Sequence, residues 1–456
     1  MKGLTLSRIA QVCGGTYIGK QEDADREVTG ITTDSRQAKP GCLFAAIKGE
    51  RVDGHAFIPQ VFEKGALCVI SEHRLEKPEG NYILVEETLA ALGAIAREYL
   101  DQLGLPVVGI TGSVGKTSTK EMIAAVLSQK YRVLKTAGNF NNELGLPLTV
   151  FRLSEEDEIA VLEMGISDFG EMHRLAGIAQ PDTCVITNIG QCHLENLGDR
   201  DGILRAKTEI FDFLRPDGHI ILNGDDDKLA SISEVKGIAP VFFGIGKENE
   251  IFADSIEKRG FDGISCRIHT KQGSFTTLIP IPGIHMVMNA LAGTAVGLHY
   301  GLSMEQIRAG IESLKPVSGR FNILHTERCT IIDDCYNANP VSMRASLEVL
   351  QDGLGRKVAI LGDMGELGEN ETELHRSVGM FAGALAIDCC ICVGPLCRAL
   401  ADGIQSVNQK MEVLSFDNLQ QLLGRLPGLV LEGDTVLVKA SHFMHFEKVV
   451  ESLKNM

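Results

Sequence analysis

Short, almost wholly apolar runs recur along this chain. VVGIT (Val107 to Thr111), RVLKT, IAVLEMG, TCVITNIG, HIILNGD and PVFFGIG follow one another, most of them separated by stretches of helical periodicity. Such runs are too short for helices and predict strands of a parallel sheet covered on both faces. From Glu250 to Pro282 the pattern becomes hairpin-like, and a helical segment follows from Ile284 to Tyr300. The β/α rhythm restarts after KPVSG (Lys315 to Gly319), with TIIDD, KVAILGD, CCICVG, EVLSF and TVLVKAS. It predicts a second doubly wound sheet, smaller than the first. Ahead of Val107 the pattern is mixed, with turn signals at KPG (Lys39 to Gly41) and VDG (Val52 to Gly54). Helical periodicity then runs from Glu87 to Leu100, and LGLP (Leu103 to Pro106) reads as a linker.

The expected fold is therefore α/β in three domains. A mixed α/β unit spans residues 1–103. A central parallel-sheet unit of the P-loop ATPase type spans 104–316, and a Rossmann-like unit spans 317–456. A chain of 456 residues accommodates this at roughly 100–200 residues per domain.

Composition narrows the function. Acidic residues outnumber basic ones, 60 to 44, for a net charge of −16. Such a chain repels phosphate polymers and anionic membranes, so a phosphate ligand must be gripped by local geometry. Aromatics are 5% with no Trp, which argues against a base-stacking nucleic-acid platform. The twelve cysteines are scattered, and the C-x-x-C of Cys389 and Cys392 lies inside a strand-like run. Buried reduced thiols are expected there in preference to a metal or redox site. MKGLTLSRIAQ lacks a continuous apolar core, and no long uninterrupted apolar stretch occurs. The expectation is a cytoplasmic protein with no membrane span and no nucleic-acid partner.

The strongest local chemistry is VVGITGSVGKTSTKEMIAAVL. A strand enters Gly112, Ser113, Val114, Gly115, Lys116, Thr117 and Ser118, and a helix leaves it. Glycines let backbone N–H groups approach phosphate oxygens, the helix start adds a positive dipole, Lys116 reaches the terminal phosphates, and the Thr117 hydroxyl can ligate Mg²⁺. The match is the shorter G-x-x-G-K-T, because Ile110 stands where the full motif asks for Gly.

Ligands of open parallel sheets sit beyond the carboxyl ends of strands. Glu163 ends one predicted strand, His193 follows another, and Asn139, Asn141 and Asn142 follow a third. Singly these read as surface or turn residues; gathered on one edge, the carboxylate and the imidazole suit a second divalent cation or an outer-shell role. Lys207 shares a helical stripe with Ile203, Ile210 and Leu214, so it points toward an apolar face. It is either a snorkelling lysine or a partly buried amine with a chemical task. In the third unit Asp333, Asp334, Asn337 and Asn339 crowd a strand end, as helix caps or as nucleotide contacts. His375, after the acid-rich loop LGDMGELGENETELH, is open to the same two readings.

Taken together these segments resemble the Mur ligases, the ATP-dependent amide-forming enzymes of peptidoglycan precursor synthesis. The marks are TGSVGKTS, GNFNNELGLPLT, LEMGISDFGEM, TNIGQCHLENLG, AKTEIF, VMNALAG and SGRF. DDCYNANPVSMRASL and LGDMGELGE are similar to the subgroup that adds D-alanyl-D-alanine to UDP-N-acetylmuramoyl-tripeptide. TTDSRQAKPGCLFAAIKGERVDGHAFI is similar to the region that grips the UDP-sugar.

The resemblance implies that Lys116 and its loop hold the ATP phosphates and that Thr117 and Glu163 hold one Mg²⁺. It implies that His193 and a carbamylated Lys207 hold a second. Asn289 is expected at the adenine, with Arg320, Asp334 and Asn337 completing the nucleotide site. Ser35 and Arg36 are expected at the UDP, and Asn139, Asn142 and His375 at the substrates. Met286 stands where the family usually has Asn, and Lys439-Ala440-Ser441-His442 where it has K-G-S-R. The implied reaction runs through an acyl phosphate in a monomer. Two rival readings compete with it: a sister ligase adding a single amino acid, and a nucleotide switch without ligase activity.

Overall fold

The computed structural model describes residues 1–49, 52–76 and 79–456. Glu50 and Arg51, inside the segment matched to the UDP-sugar region, lie outside the described residues.

The chain is an α/β protein with three sheets, one per domain. The first comprises β1 (Thr16–Ile18), β2 (Ile31–Thr32), β3 (Leu43–Ala45), β4 (Cys68–Ser71) and β5 (Asn81–Leu84), in the order β1-β5-β4-β3-β2. Only β1 runs antiparallel to its neighbour.

The central sheet comprises β6 (Val107–Thr111), β7 (Val133–Lys135), β8 (Ile159–Glu163), β9 (Thr183–Ile186), β10 (His219–Asn223), β11 (Val241–Gly244), β12 (Ile251–Lys258), β13 (Ile264–Thr270) and β14 (Gly273–Ile279). Its order is β14-β13-β12-β11-β10-β9-β6-β8-β7. The run from β7 to β12 is parallel; β13 and β14 complete it as an antiparallel hairpin, where the sequence pattern changes. The first four strands in chain order are wound outward from β6 in both directions, so the chain reverses direction across the sheet there. The carboxyl end of β6 is the crevice at which such sheets bind ligands.

The third sheet comprises β15 (Asn322–His325), β16 (Cys329–Asp333), β17 (Lys357–Gly362), β18 (Cys389–Val393), β19 (Glu412–Phe416) and β20 (Asp434–Lys439), in the order β15-β16-β20-β17-β18-β19. All pairings but β15 with β16 are parallel.

Packing joins the domains. The helix Thr88–Leu103 closes the first domain and lies against the helices Gly145–Val150 and Glu171–Ala179 of the second. Tyr99 donates its hydroxyl to the Leu153 carbonyl at 2.8 Å. Apolar packing continues from the helix His285–His299 through Phe321 and Ala338 into the third domain.

All twelve cysteines are free, and all but Cys13 are buried. Strand alternation sends Cys389 and Cys392 to opposite faces of β18, so the C-x-x-C is not a chelate. No helix among the described residues is long and apolar enough to cross a membrane.

Candidate active site

The phosphate loop bridges β6 and the helix Lys116–Leu127. Two of its glycines are obligatory. Gly115 begins the helix at φ +82, and Gly112 sits at φ +149 with a hypothetical Cβ 1.9 Å from Thr187 Oγ1. The segment after β9 braces the loop from behind. The Ser113 amide donates to the Asn188 carbonyl at 3.0 Å, and the Val114 amide to Asn188 Oδ1 at 3.0 Å. Thr187 Oγ1 and Asn188 Nδ2 both donate to the Val114 carbonyl, at 2.7 and 3.0 Å. The Lys116 ammonium donates to the Gly112 carbonyl at 2.9 Å, curled over the loop it serves.

Because β8 lies beside β6, Glu163 ends next to the helix start. The Thr117 hydroxyl donates to Glu163 Oε2 at 2.8 Å, and Asn141 Nδ2 donates to Oε1 at 2.8 Å. Lys120 is 3.8 Å from the same carboxylate. A buried hydroxyl–carboxylate pair beside a phosphate loop is a hard-oxygen donor set that fits Mg²⁺.

His193 begins the helix Leu194–Leu197 at φ +50. Its Nδ1 lies 2.7 Å from Glu366 Oε2 of the third domain. The His193 contact holds the Glu366 carboxyl below the usual range, with the charge of Lys116 adding to it.

Lys207 turns inward on its helix. It is wholly buried, and its Nζ has no hydrogen-bond partner. Burial pushes the amine down to about 8, and the charge of Lys116 pushes the same way. A bare ammonium does not fit a cation site. A carbamate would fit, since it replaces an orphaned donor with two oxygens.

Most of these residues border a cavity of about 610 Å³, but Lys207 is not among its lining residues and stays behind the wall. Ser113 to Ser118, Asn139, Asn142, Glu163, His193, Arg320, Asp334 and Asn337 all line it, with Leu89 of the first domain. The Arg320 guanidinium lies 4.1 Å over the Tyr336 ring, whose other neighbour is His442 at 5.2 Å between centroids. Within this wall the polar groups are not equally available. Asp334 accepts from Lys439 Nζ at 2.5 Å, Ser346 Oγ at 2.6 Å and the Phe321 amide at 3.3 Å. Its carboxylate therefore organises the domain more than it reaches outward. Asn142 Oδ1 accepts the Gly145 amide at 2.8 Å, which ties it to the next helix.

Several expected contacts are elsewhere. His375 is fully buried and does not border the cavity. Its Nδ1–H donates to the Glu371 carbonyl at 2.7 Å, and its Nε2 accepts the Met364 amide at 2.9 Å. Both nitrogens are occupied, so it positions the loop rather than touching substrate. Asn289 also stands behind the wall, accepting the Thr119 hydroxyl at 2.8 Å, with Met286 Sδ 3.3 Å from its Nδ2. The cavity is lined instead by His285, four residues earlier. Its two nitrogens are buried with no partner, its ring packs at a tilt against Phe321 with 4.4 Å between centroids, and desolvation pushes it down to about 4. Ser35 and Arg36 follow β2, away from this cavity. Ser35 is buried, and Arg36 is exposed and paired with Asp34 at 2.8 Å. Asn141, expected on this edge from its place after a strand, does line the cavity, whereas Asn188, Glu366 and His285 were not singled out as contacts by sequence reasoning. Position just past a strand end was the available signal for Asn188.

Three family models divide the chain between them: the Mur ligase family catalytic domain over residues 27–108, the Mur ligase middle domain over 110–297, and the Mur ligase glutamate ligase domain over 319–442. The chain belongs to the Mur ligase family. This Mur ligase is 39% identical over 454 residues to the UDP-N-acetylmuramoyl-tripeptide--D-alanyl-D-alanine ligase of Bacillus subtilis, covering 98% of each chain. Its fold matches a crystal structure of MurF from Acinetobacter baumannii with a TM-score of 0.91 at 35% identity, covering 99% of each chain. It matches the MurF ligase of Thermotoga maritima, solved in complex with ADP, with a TM-score of 0.83 at 32% identity, covering 93% of this Mur ligase and 97% of that chain.

Proposed function

We propose that this chain joins D-alanyl-D-alanine to UDP-N-acetylmuramoyl-tripeptide, consuming ATP and releasing ADP and phosphate. One observation carries the reading: a single cavity draws Leu89 from the first domain, the phosphate loop from the second, and Arg320 and Asn337 from the third. A nucleotide switch has no need of such a three-domain enclosure. The B. subtilis relative, named for this activity and matched over nearly its whole length, supports the substrate pair. That one chain encloses the cavity supports action as a monomer, and dependence on ATP supports a cytoplasmic location.

The tripeptide carboxylate cannot react with an amine directly, because an oxide is a poor leaving group. Transfer of the terminal phosphoryl group of ATP makes an acyl phosphate. The amine of D-alanyl-D-alanine attacks its carbonyl carbon, and the tetrahedral adduct expels phosphate. Lys116 turns from the Gly112 carbonyl to the terminal phosphates, where charge shifts during transfer. First-turn N–H groups of the helix Lys116–Leu127 face the other phosphate oxygens. Thr117 and Glu163 would hold one Mg²⁺, and His193 with a carbamate on Lys207 a second. Bound there, the cations would neutralise the crowded anions of triphosphate and carboxylate. The carbamate forms when the neutral Lys207 amine adds to CO₂ and loses a proton. Ser35 and Arg36 serve the UDP end of the substrate from the first domain.

Phosphate release tests the proposal. With UDP-muramoyl-tripeptide and ATP, release should require D-alanyl-D-alanine and yield the pentapeptide. Turnover with a single amino acid but not the dipeptide would assign the sister activity. Release that ignores both acceptors would overturn the ligase reading.

A further inference from the structure

The loop Asp363–Gly368 of the third domain is anchored at its start and carries a tip that meets the second domain. The Met364 amide donates to His375 Nε2 at 2.9 Å, and the Gly365 amide to Ser441 Oγ at 2.9 Å. Asp363 Oδ1 accepts the Cys397 amide at 2.8 Å. Gly368 packs beside Leu194 and Glu195 of the opposing helix. At the tip, Glu366 adopts φ +61 and meets His193, itself at φ +50. Both are non-glycine residues in left-handed backbone, a conformation that costs energy and persists where surrounding structure enforces it. Glycine would occupy position 366 without strain, yet the position carries the carboxylate that reaches across the domain boundary.

We infer that Glu366 is a positioning residue that makes the His193 cation site depend on closure of the third domain. Its carboxylate engages His193 Nδ1, which leaves Nε2 as the nitrogen free to face the cavity. Partners of this kind fix the orientation of a metal-binding imidazole. When the third domain swings away, the partner leaves with it, and the imidazole loses its orientation. Closure and assembly of the cation site are then one event, although Glu366 itself binds no cation. The inference rests on the ligase reading, through the cation role given to His193.

The test uses full-length protein and Glu366→Gly, Glu366→Gln and Glu366→Asp variants. Mn²⁺ binding in the presence of ADP is followed by electron paramagnetic resonance, and compaction by small-angle scattering. Relief of backbone strain should leave Glu366→Gly at least as heat-stable as the parent. It should nevertheless bind Mn²⁺ at the weaker site at least tenfold less tightly and compact less with ADP. Glu366→Gln, which keeps an acceptor for Nδ1–H, should fall between Glu366→Gly and the parent. Glu366→Gly with parental Mn²⁺ affinity and compaction overturns the inference while leaving the ligase reading intact. A parent protein that binds no Mn²⁺ with ADP overturns both.

Discussion

Thr117 and Glu163 are joined by a 2.8 Å hydrogen bond between buried side chains 46 positions apart. Asn141 occupies the second carboxylate oxygen, and the nearest ammonium, on Lys120, stays 3.8 Å away. The anion is thus held by neutral donors with no cation in direct contact. Glu163→Gln keeps the shape and removes the charge. It should fold normally and lose the rise in melting temperature that Mg²⁺ gives the parent with ADP. Ligation should fall at least about a thousandfold, as expected when an electrostatic contact to the transferring group is removed. Unchanged Mg²⁺ stabilisation would remove Glu163 from the cation site.

Lys116→Ala should leave the loop folded, since Asn188 and Thr187 brace it independently of the ammonium. Turnover should drop by about three orders of magnitude or more, equivalent to about 4 kcal/mol. Binding of the UDP substrate, measured calorimetrically, should stay within about twofold, because the residues assigned to it stand on the first domain.

Lys207 ties activity to CO₂ and pH. Its folded-state amine titrates near 8, below the ordinary 10.5. Under about pH 8 the neutral form that captures CO₂ therefore declines about tenfold per unit. The bare amine costs stability wherever it is charged when unfolded, most fully below 8, and the cost vanishes above 10.5. Enzyme stripped of CO₂ at mildly acidic pH should lose activity and regain it with bicarbonate. At equal dissolved CO₂, recovery should be more than tenfold faster at pH 8.5 than at pH 6.5. Lys207→Ala should be nearly inactive and partly rescued by short carboxylates. An unmodified lysine by mass spectrometry of active enzyme under CO₂-retaining conditions would exclude the carbamate.

The Asp334–Lys439 pair, 2.5 Å apart with each residue at most 5% exposed, should govern the stability of the third domain. Asp334→Ala strands a buried ammonium and should cost about 3–5 kcal/mol by chemical denaturation. Adding Lys439→Met should recover a large part of that loss. Additive losses in the double variant would show that the two charges act independently.

Local signals were legible where function depends on contiguous backbone. The strand, glycine turn and helix around Lys116 form one short segment, so its sequence implied both its conformation and its affinity for phosphate. The stripe of Ile203, Ile210 and Leu214 likewise implied that Lys207 turns inward, because helical periodicity couples side-chain direction to spacing. His375 and Asn289 were less legible. Each sits near the right loop or helix, but a rotation of the helix decides whether a side chain faces a cavity or the packing behind it. In both cases the second outcome holds, with hydrogen bonds to Met364 and Thr119.

By itself the sequence determined that a phosphate loop follows β6, that two further sheet-and-helix units flank its domain, and that the lysine at 207 is drawn from solvent. These follow from periodicity and from residues adjacent in the chain. Tertiary structure decided that β8 rather than β7 lies beside β6, and so that Glu163 meets Thr117. It also decided that Glu366 of the third domain reaches His193 of the second. Strand order and domain contact depend on burying both faces of each sheet and satisfying hydrogen bonds between distant segments. No local pattern carries that information, because each candidate strand has the same apolar face to offer any neighbour.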